Sequence, residues 1–465
     1  MSQLLLLGSP KKLGDLQIKT HGATPAQVRS ERDGLLALTY SAERVAAYVD
    51  EPFAAPPVEY MPHVTISQGY RARLFVRRAM RAAASTEAAN QDVQDFAYRL
   101  AAASHSTAHG LLPYLINAVA KQVPNDGPES KPVKILHSHT GRAIYLLRAV
   151  LRALGQPVRL IALRTKSDSS VDDWPDQTYQ STALLVRRFG LWVPVYFFRR
   201  SAMLGHLPAN WRGGDWRSID PAWPDKALAQ SAQAIPEAWI STLPHLVKVD
   251  ASLDAQGQMQ ARLNMQIRAP LAGFMRSFMK RMDPRDVKRI FEAWLGGVFA
   301  GARLQQMNIQ GQDDILQAMT VSLTFSSDAY AKTRADALVV DRLLPSLSLV
   351  FGKDQAALGS FVRLAKRKTP MYLNAYDEQS LFRLQLPKAF KMLNAPPSLT
   401  VDGVFGHYHQ QVRSSAAKLE IERDVHRSRR LVLPDDYVRM RRAAQRIEKA
   451  LGGQLVLVPD KALKK

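Results

Sequence analysis

The stretch Thr140–Gly155, TGRAIYLLRAVLRALG, is the most legible helix in the chain. Leu146, Leu147, Val150, Leu151 and Leu154 recur at three- and four-residue spacing and fall on one helical face, while Arg142, Arg148 and Arg152 are placed away from it. Gly155 stands where a helix C-terminus favours a residue able to turn left-handed. Strand signals follow at Val158–Leu163, Ala183–Arg187 and Trp192–Phe198, then a Trp- and Pro-rich irregular segment from Leu207 to Pro224. A helical layer followed by a sheet predicts an α+β fold around this stretch.

Working outward, Tyr70–Val123 is rich in Ala, Arg, Gln and Leu, and its apolar spacing (Phe96, Leu100, Leu115, Val119) predicts helices broken near Gly110 and Pro113. From Leu4 to Ser67, short apolar runs between Gly, Pro and Asp predict strands. Downstream, Val247–Leu253 and Met259–Met265 alternate on either side of Asp254–Gly257, which predicts a hairpin. Asp283 before Pro284 is an N-cap and first-turn pair for a helix to about Leu295. Further strands are expected at Met319–Phe325, Leu381–Leu386, Gln410–Ile421 and Leu431–Leu433, and a terminal helix at Asp435–Leu451. Three units result: a partial β-rich domain over 1–69, a helix-and-sheet domain over 70–225, and a β-rich domain over 226–465 with an inserted helix and a C-terminal one.

The chain has 465 residues, room for two to four cores. Its 46% hydrophobic and 22% charged content excludes wholesale disorder, and no apolar run is long enough to span a bilayer as a helix. There are 63 Lys and Arg against 41 Asp and Glu, a formal charge of +22, which favours an anionic partner without naming it. Gln411–Lys465 holds 14 basic and 7 acidic residues and so carries about a third of that surplus. Cysteine is absent, which removes disulfides, thiolate metal sites and any cysteine nucleophile. The Leu4–Leu7 run has no preceding basic residue, and Lys11 and Lys12 follow too soon for a signal-peptide core. A cytoplasmic protein is expected if the chain is complete, and a periplasmic or envelope one if an export signal lies upstream.

Thr140–Gly155 resembles the core helix of bacterial transglutaminase-like (papain-like) proteins, with a pattern close to CxDxAxLLxALLRALG. The resemblance implies that the catalytic cysteine falls on Thr140, the histidine on Thr182 (Ser181 if the register slips by one) and the acid on Tyr196. Gly190, Trp192 and Pro194 keep the pattern around the last of these. Glu51, Pro52, Phe53, Pro56, Pro57, Glu59 and Tyr60 are similar to the end of the β-rich domain that precedes this fold in one bacterial subgroup, and the LQLPKAF and LVLPDDYVRMRR runs to the domain that follows it. The implied fold is a degenerate transglutaminase-like α+β domain between β-sandwich-like flanks.

An unassisted hydroxyl attacks poorly at neutral pH, so a relocated site needs a base and an orienting group. Ser138 and Thr140 lie beside His137 and His139, but no carboxylate for them is identifiable, and the plain expectation for Thr140 is a helix cap. His105 with His109, His137 with His139 and His407 with His409 are spaced to share a face, yet no HExxH or carboxylate-rich companion accompanies them, and no metal or cofactor is expected. Basic clusters occur at Arg276, Lys280, Arg281, Arg285, Lys288 and Arg289, at Arg427, Arg429 and Arg430, and at Arg439, Arg441, Arg442 and Arg446. Of these, Arg429, Arg430, Arg441 and Arg442 are the polyanion candidates, and Trp192 joins Thr140, Thr182 and Tyr196 in a former substrate cleft. The expectation is a non-enzymatic pseudoenzyme with a protein or peptide partner, belonging to a larger assembly or polypeptide. A relocated Ser/Thr–His enzyme and a polyanion-binding module are its rivals.

Overall fold

The computed structural model describes residues 2–14, 16–21, 26–42, 49–55, 57, 60–61, 63–67, 90–104, 110–124, 127–165, 181–220, 232–341, 343 and 362–460. The α+β expectation for the chain is overturned. Among the described residues strand outweighs helix, 42% to 27%, and six separate sheets are formed. The reason is that four of the helices are gathered into one layer of the middle unit, while the described chain on either side of that unit is mostly strand.

That layer comprises Gln91–Ser104, Leu111–Gln122, Pro132–Ser138 and Ala143–Ala153. It covers one face of a six-stranded antiparallel sheet in which Val158–Arg164, Ser181–Arg188 and Leu191–Phe198 run side by side. Leu146, Leu147 and Val150 pack on Leu160, Leu184 and Val186, as their spacing predicts. The opposite face buries Ile161, Leu163, Leu185 and Tyr196 with Trp211 and with Trp216, which stands on the strand Asp215–Ser218 of the same sheet, inside the segment expected to be irregular. Gly155 is left-handed at φ +68°, ending the helix as expected.

Arg148 departs from its expected place. It is 1% exposed, and its Nη2 lies 3.1 Å from the Oδ2 of Asp220, also 1% exposed. The same oxygen accepts the Leu160 amide at 3.0 Å. A carboxylate far along the chain thus draws into the core an arginine that helical periodicity alone places outside.

Beyond residue 232 an eight-stranded sheet dominates. It is antiparallel except where His245–Leu253 runs parallel to Tyr376–Gln385. The expected hairpin pairs His245–Leu253 with Met259–Ile267, and Asp283 caps Pro284–Val298 by accepting the Arg285 amide at 2.8 Å. Val249, Leu263, Leu323 and Phe382 from this sheet share a core with Leu338, Val340, Leu455 and Leu457 from a four-stranded one. Two expectations change. Gln410–Ile421 is a hairpin of Gly406–Ser414 and Lys418–Arg427, turned at 415–417, and Pro434–Leu451 is followed by a strand, Leu455–Pro459, inside the four-stranded sheet.

The N-terminal piece forms strands, as expected: a three-stranded sheet and the pair Gln17–His21 with His63–Ser67. Its end docks on the far C-terminal unit. Glu51 accepts the amides of Lys368 and Thr369 at 3.0 Å and the Thr369 hydroxyl at 2.6 Å, while Arg367 donates to the Pro52 carbonyl at 2.8 Å.

Candidate ligand cleft

Sheet parity decides what becomes of the three positions matched to a catalytic triad. Successive residues of a strand face opposite sides. Thr182 is in step with Leu184 and Val186 and faces the helical layer, whereas Tyr196 is in step with the other face and buried beside Trp211. Burial raises the Tyr196 phenol above its ordinary pKa, against hydrogen bonds with Ser181 and Trp211. The slipped register, Ser181, hydrogen-bonds Tyr196, is half-buried, and also lines the cavity into which Thr182 opens. Trp192 packs against that aromatic cluster with the Arg159 guanidinium 4.1 Å above its ring.

Thr140 lies in a separate shallow recess with Glu129, Lys134, His137 and Ser138. It does not cap the following helix, whose N-cap is Arg142. Instead the Thr140 hydroxyl donates to the Ser138 carbonyl at 3.4 Å, and the Ser138 hydroxyl to the Thr140 carbonyl at 3.1 Å. Gly141, at φ +142°, holds this turn closed: a Cβ there would sit 2.6 Å from Ile135 Cγ1 and 3.0 Å from the Glu129 carbonyl oxygen. His139 bonds Gln122, and His137 bonds Asp92 at 2.9 Å on the surface. Asp92 is the carboxylate that sequence reasoning did not find for His137, yet the neighbouring hydroxyls are committed to backbone carbonyls.

Thr182 opens into a cavity of about 540 Å³ between the helical layer and the C-terminal unit. Phe197 is its apolar neighbour, and Ile144 and Ile315 line the same space. Cations reach this cavity from separate elements: Lys121 from the helix Leu111–Gln122, Arg142 from an N-cap, Arg199 and Arg200 from a strand turn, and Lys280 and Arg281 from the end of the helix Leu271–Met279. Asp313 is the one carboxylate among its described lining residues, and no histidine is among them.

The walls are tied together. Asn117 donates to Asp314 Oδ1 at 3.0 Å and accepts the Ile315 amide at 2.9 Å. Arg276, expected on a solvated basic face, is 3% exposed and donates to the carbonyls of Gly311, Arg200 and Gln317. Burial pulls its pKa down to about 10, with Arg200 lowering it and Asp314 and Asp313 raising it. It thereby positions the turn that carries Arg199 and Arg200.

Of the C-terminal candidates, Arg429 and Arg430 meet Arg212, Tyr372 and Asp436 in a second recess, while Arg441 and Arg442 lie on the helix Pro434–Leu451 outside it. Arg427 is buried, donating to the Asn374 carbonyl at 2.7 Å, so it is not part of a surface cluster. His407 and His409 do share a strand face, but His407 bonds Asp402 at 2.6 Å and His409 bonds Thr400 at 2.9 Å. No group of three potential metal ligands occurs among the described residues. His105 and His109 lie outside them.

Residues 349–457, less than a quarter of the chain, match the family described as a domain of unknown function with a solved structure (DUF3858). The fold is similar to the crystal structure of a proposed protease from Parabacteroides distasonis ATCC 8503, with a TM-score of 0.56 and 12% identity over 98% of this chain and 72% of that one. No curated protein matches by sequence. At that identity the likeness is one of fold.

Proposed function

We propose that this protein is a non-catalytic transglutaminase-like protein that holds a ligand or partner in the cleft beside Thr182 and does not cut it. The observation that carries this reading is the sheet parity of Thr182 and Tyr196, which face opposite sides, with Thr140 in a third location. Covalent acyl chemistry needs a nucleophile, a base and an orienter within hydrogen-bond reach of one another. The chain has no cysteine, and the hydroxyls of Ser181, Thr182 and Ser277 line the cleft with no histidine among its described lining residues. The test is a peptidase, esterase and acyl-transfer panel with the full chain, expected to give no turnover. Activity abolished by Thr140→Ala or Ser138→Ala would refute the reading.

A further inference from the structure

The cleft is charged in a way that folding alone does not favour. Arg142 occupies the N-cap of the helix Ala143–Ala153, the end at which the macrodipole is positive and a cation is disfavoured. Arg200 has its Nη1 buried without a hydrogen-bond partner. The Lys280 ammonium is pushed below its ordinary pKa by burial and by the charge of Arg200. Lys280 and Arg281 at a helix C-terminus have a structural explanation, but Arg142 and Arg200 have none. None of these cations is ion-paired to a carboxylate among the described residues. Apart from half-buried Arg200 these cations are open to water, and with one aspartate among the cleft's described lining residues a ligand entering here meets several like charges at once.

Resting on the reading of this cleft as a binding site, we propose that it takes a compact ligand carrying two or more phosphoryl groups. Arginine forks fit tetrahedral oxyanions through paired N–H donors. A phosphoryl group brings roughly 1.5 to 2 negative charges and three acceptor oxygens, whereas a carboxylate brings a single charge. Two or three phosphoryl groups therefore balance this lining within about 540 Å³, and carboxylates of the same bulk do not. Phe197, Ile144 and Ile315 offer an apolar wall to the rest of the molecule.

The test is calorimetric and thermal-shift titration of the full chain with tripolyphosphate, and with citrate as a carboxylate of similar size, at about 0.15 M salt. Tripolyphosphate is expected to bind with a roughly micromolar Kd and at least about tenfold more tightly than citrate. Arg142→Gln and Lys280→Gln are each expected to weaken it about tenfold or more while leaving the ligand-free melting temperature equal or higher, because each removes repulsion. Arg442→Gln is expected to bind like the parent. Capture by phosphatidic acid vesicles, lost in the cleft variants, would assign the phosphoryl group to a lipid headgroup. Absence of tripolyphosphate binding, equal binding of citrate, or loss of binding through Arg442→Gln in place of the cleft variants would overturn the proposal. Phosphate release in the same titration, with binding intact, would instead overturn the non-catalytic reading and leave the site standing.

Discussion

Breaking the buried pair of Arg148 and Asp220 is expected to unfold the helix-and-sheet unit first. Both side chains are almost fully enclosed, 2% and 1% exposed, and 3.1 Å apart, so removing either leaves the other's charge in the core without this counter-charge. Such losses run to about 3–5 kcal/mol. Arg148→Met is therefore expected to cost about 3–4 kcal/mol, since Asp220 keeps the Leu160 amide as a partner, and Asp220→Leu about 4–5 kcal/mol, since that amide also loses its acceptor. The double variant replaces a charged pair with apolar side chains and is expected within about 2 kcal/mol of the parent, giving a coupling of about 5 kcal/mol or more. Urea unfolding followed through Trp211 and Trp216, which pack on the far face of the same sheet, reports the change. A cost below about 1 kcal/mol for either single variant, or strictly additive costs in the double, would refute the reasoning.

Glu51→Gln is expected to loosen the N-terminal strap and expose it to limited proteolysis, at a cost of about 2–3 kcal/mol. Burial pushes this carboxyl up, but hydrogen bonds from Thr369 and Lys368 and the charge of Arg367 hold it below its ordinary pKa. The clamp is thus complete above the ordinary carboxylate range and weakens as pH falls through and below it. His245 is held down from 6.5 to about 4 by burial and by Arg268. The unfolded chain takes up that proton first, so stability is full above about pH 6.5 and falls towards pH 4, by about 1–2 kcal/mol once the ring's partial exposure is counted. His245→Phe is expected to flatten that limb in denaturant titrations at pH 4.5 and 7.5. Gly141→Ala, at φ +142° with its Cβ 2.6 Å from Ile135, is expected to lower stability by about 2–4 kcal/mol in thermal unfolding.

Periodicity made much of the local structure readable. The helix ending at Gly155, the three strands after it, the hairpin around Asp254–Gly257 and the Asp283 cap are all written in short-range patterns, because backbone hydrogen bonding and one-sided burial act over a few residues. The chain-wide balance was not readable that way, since one strong helix outweighs many short strands to the eye while contributing a small share of the residues.

The cleft was legible only in part. Thr182 and Arg142 could be named from the chain, and Lys280 and Arg281 stood in a basic run, but nothing short-range joins them to Lys121 or Arg200. Likewise Arg148 looked solvated until Asp220 was placed beside it. The amino-acid sequence by itself determined the local elements, the lack of a thiol and the positive excess. Tertiary structure alone decided which cations share a cavity, which arginines are spent on the core, and that Thr182 and Tyr196 face opposite ways. Charge and hydroxyl chemistry act through space, and the spacing in space is set by sheet parity and packing between residues far apart in the chain.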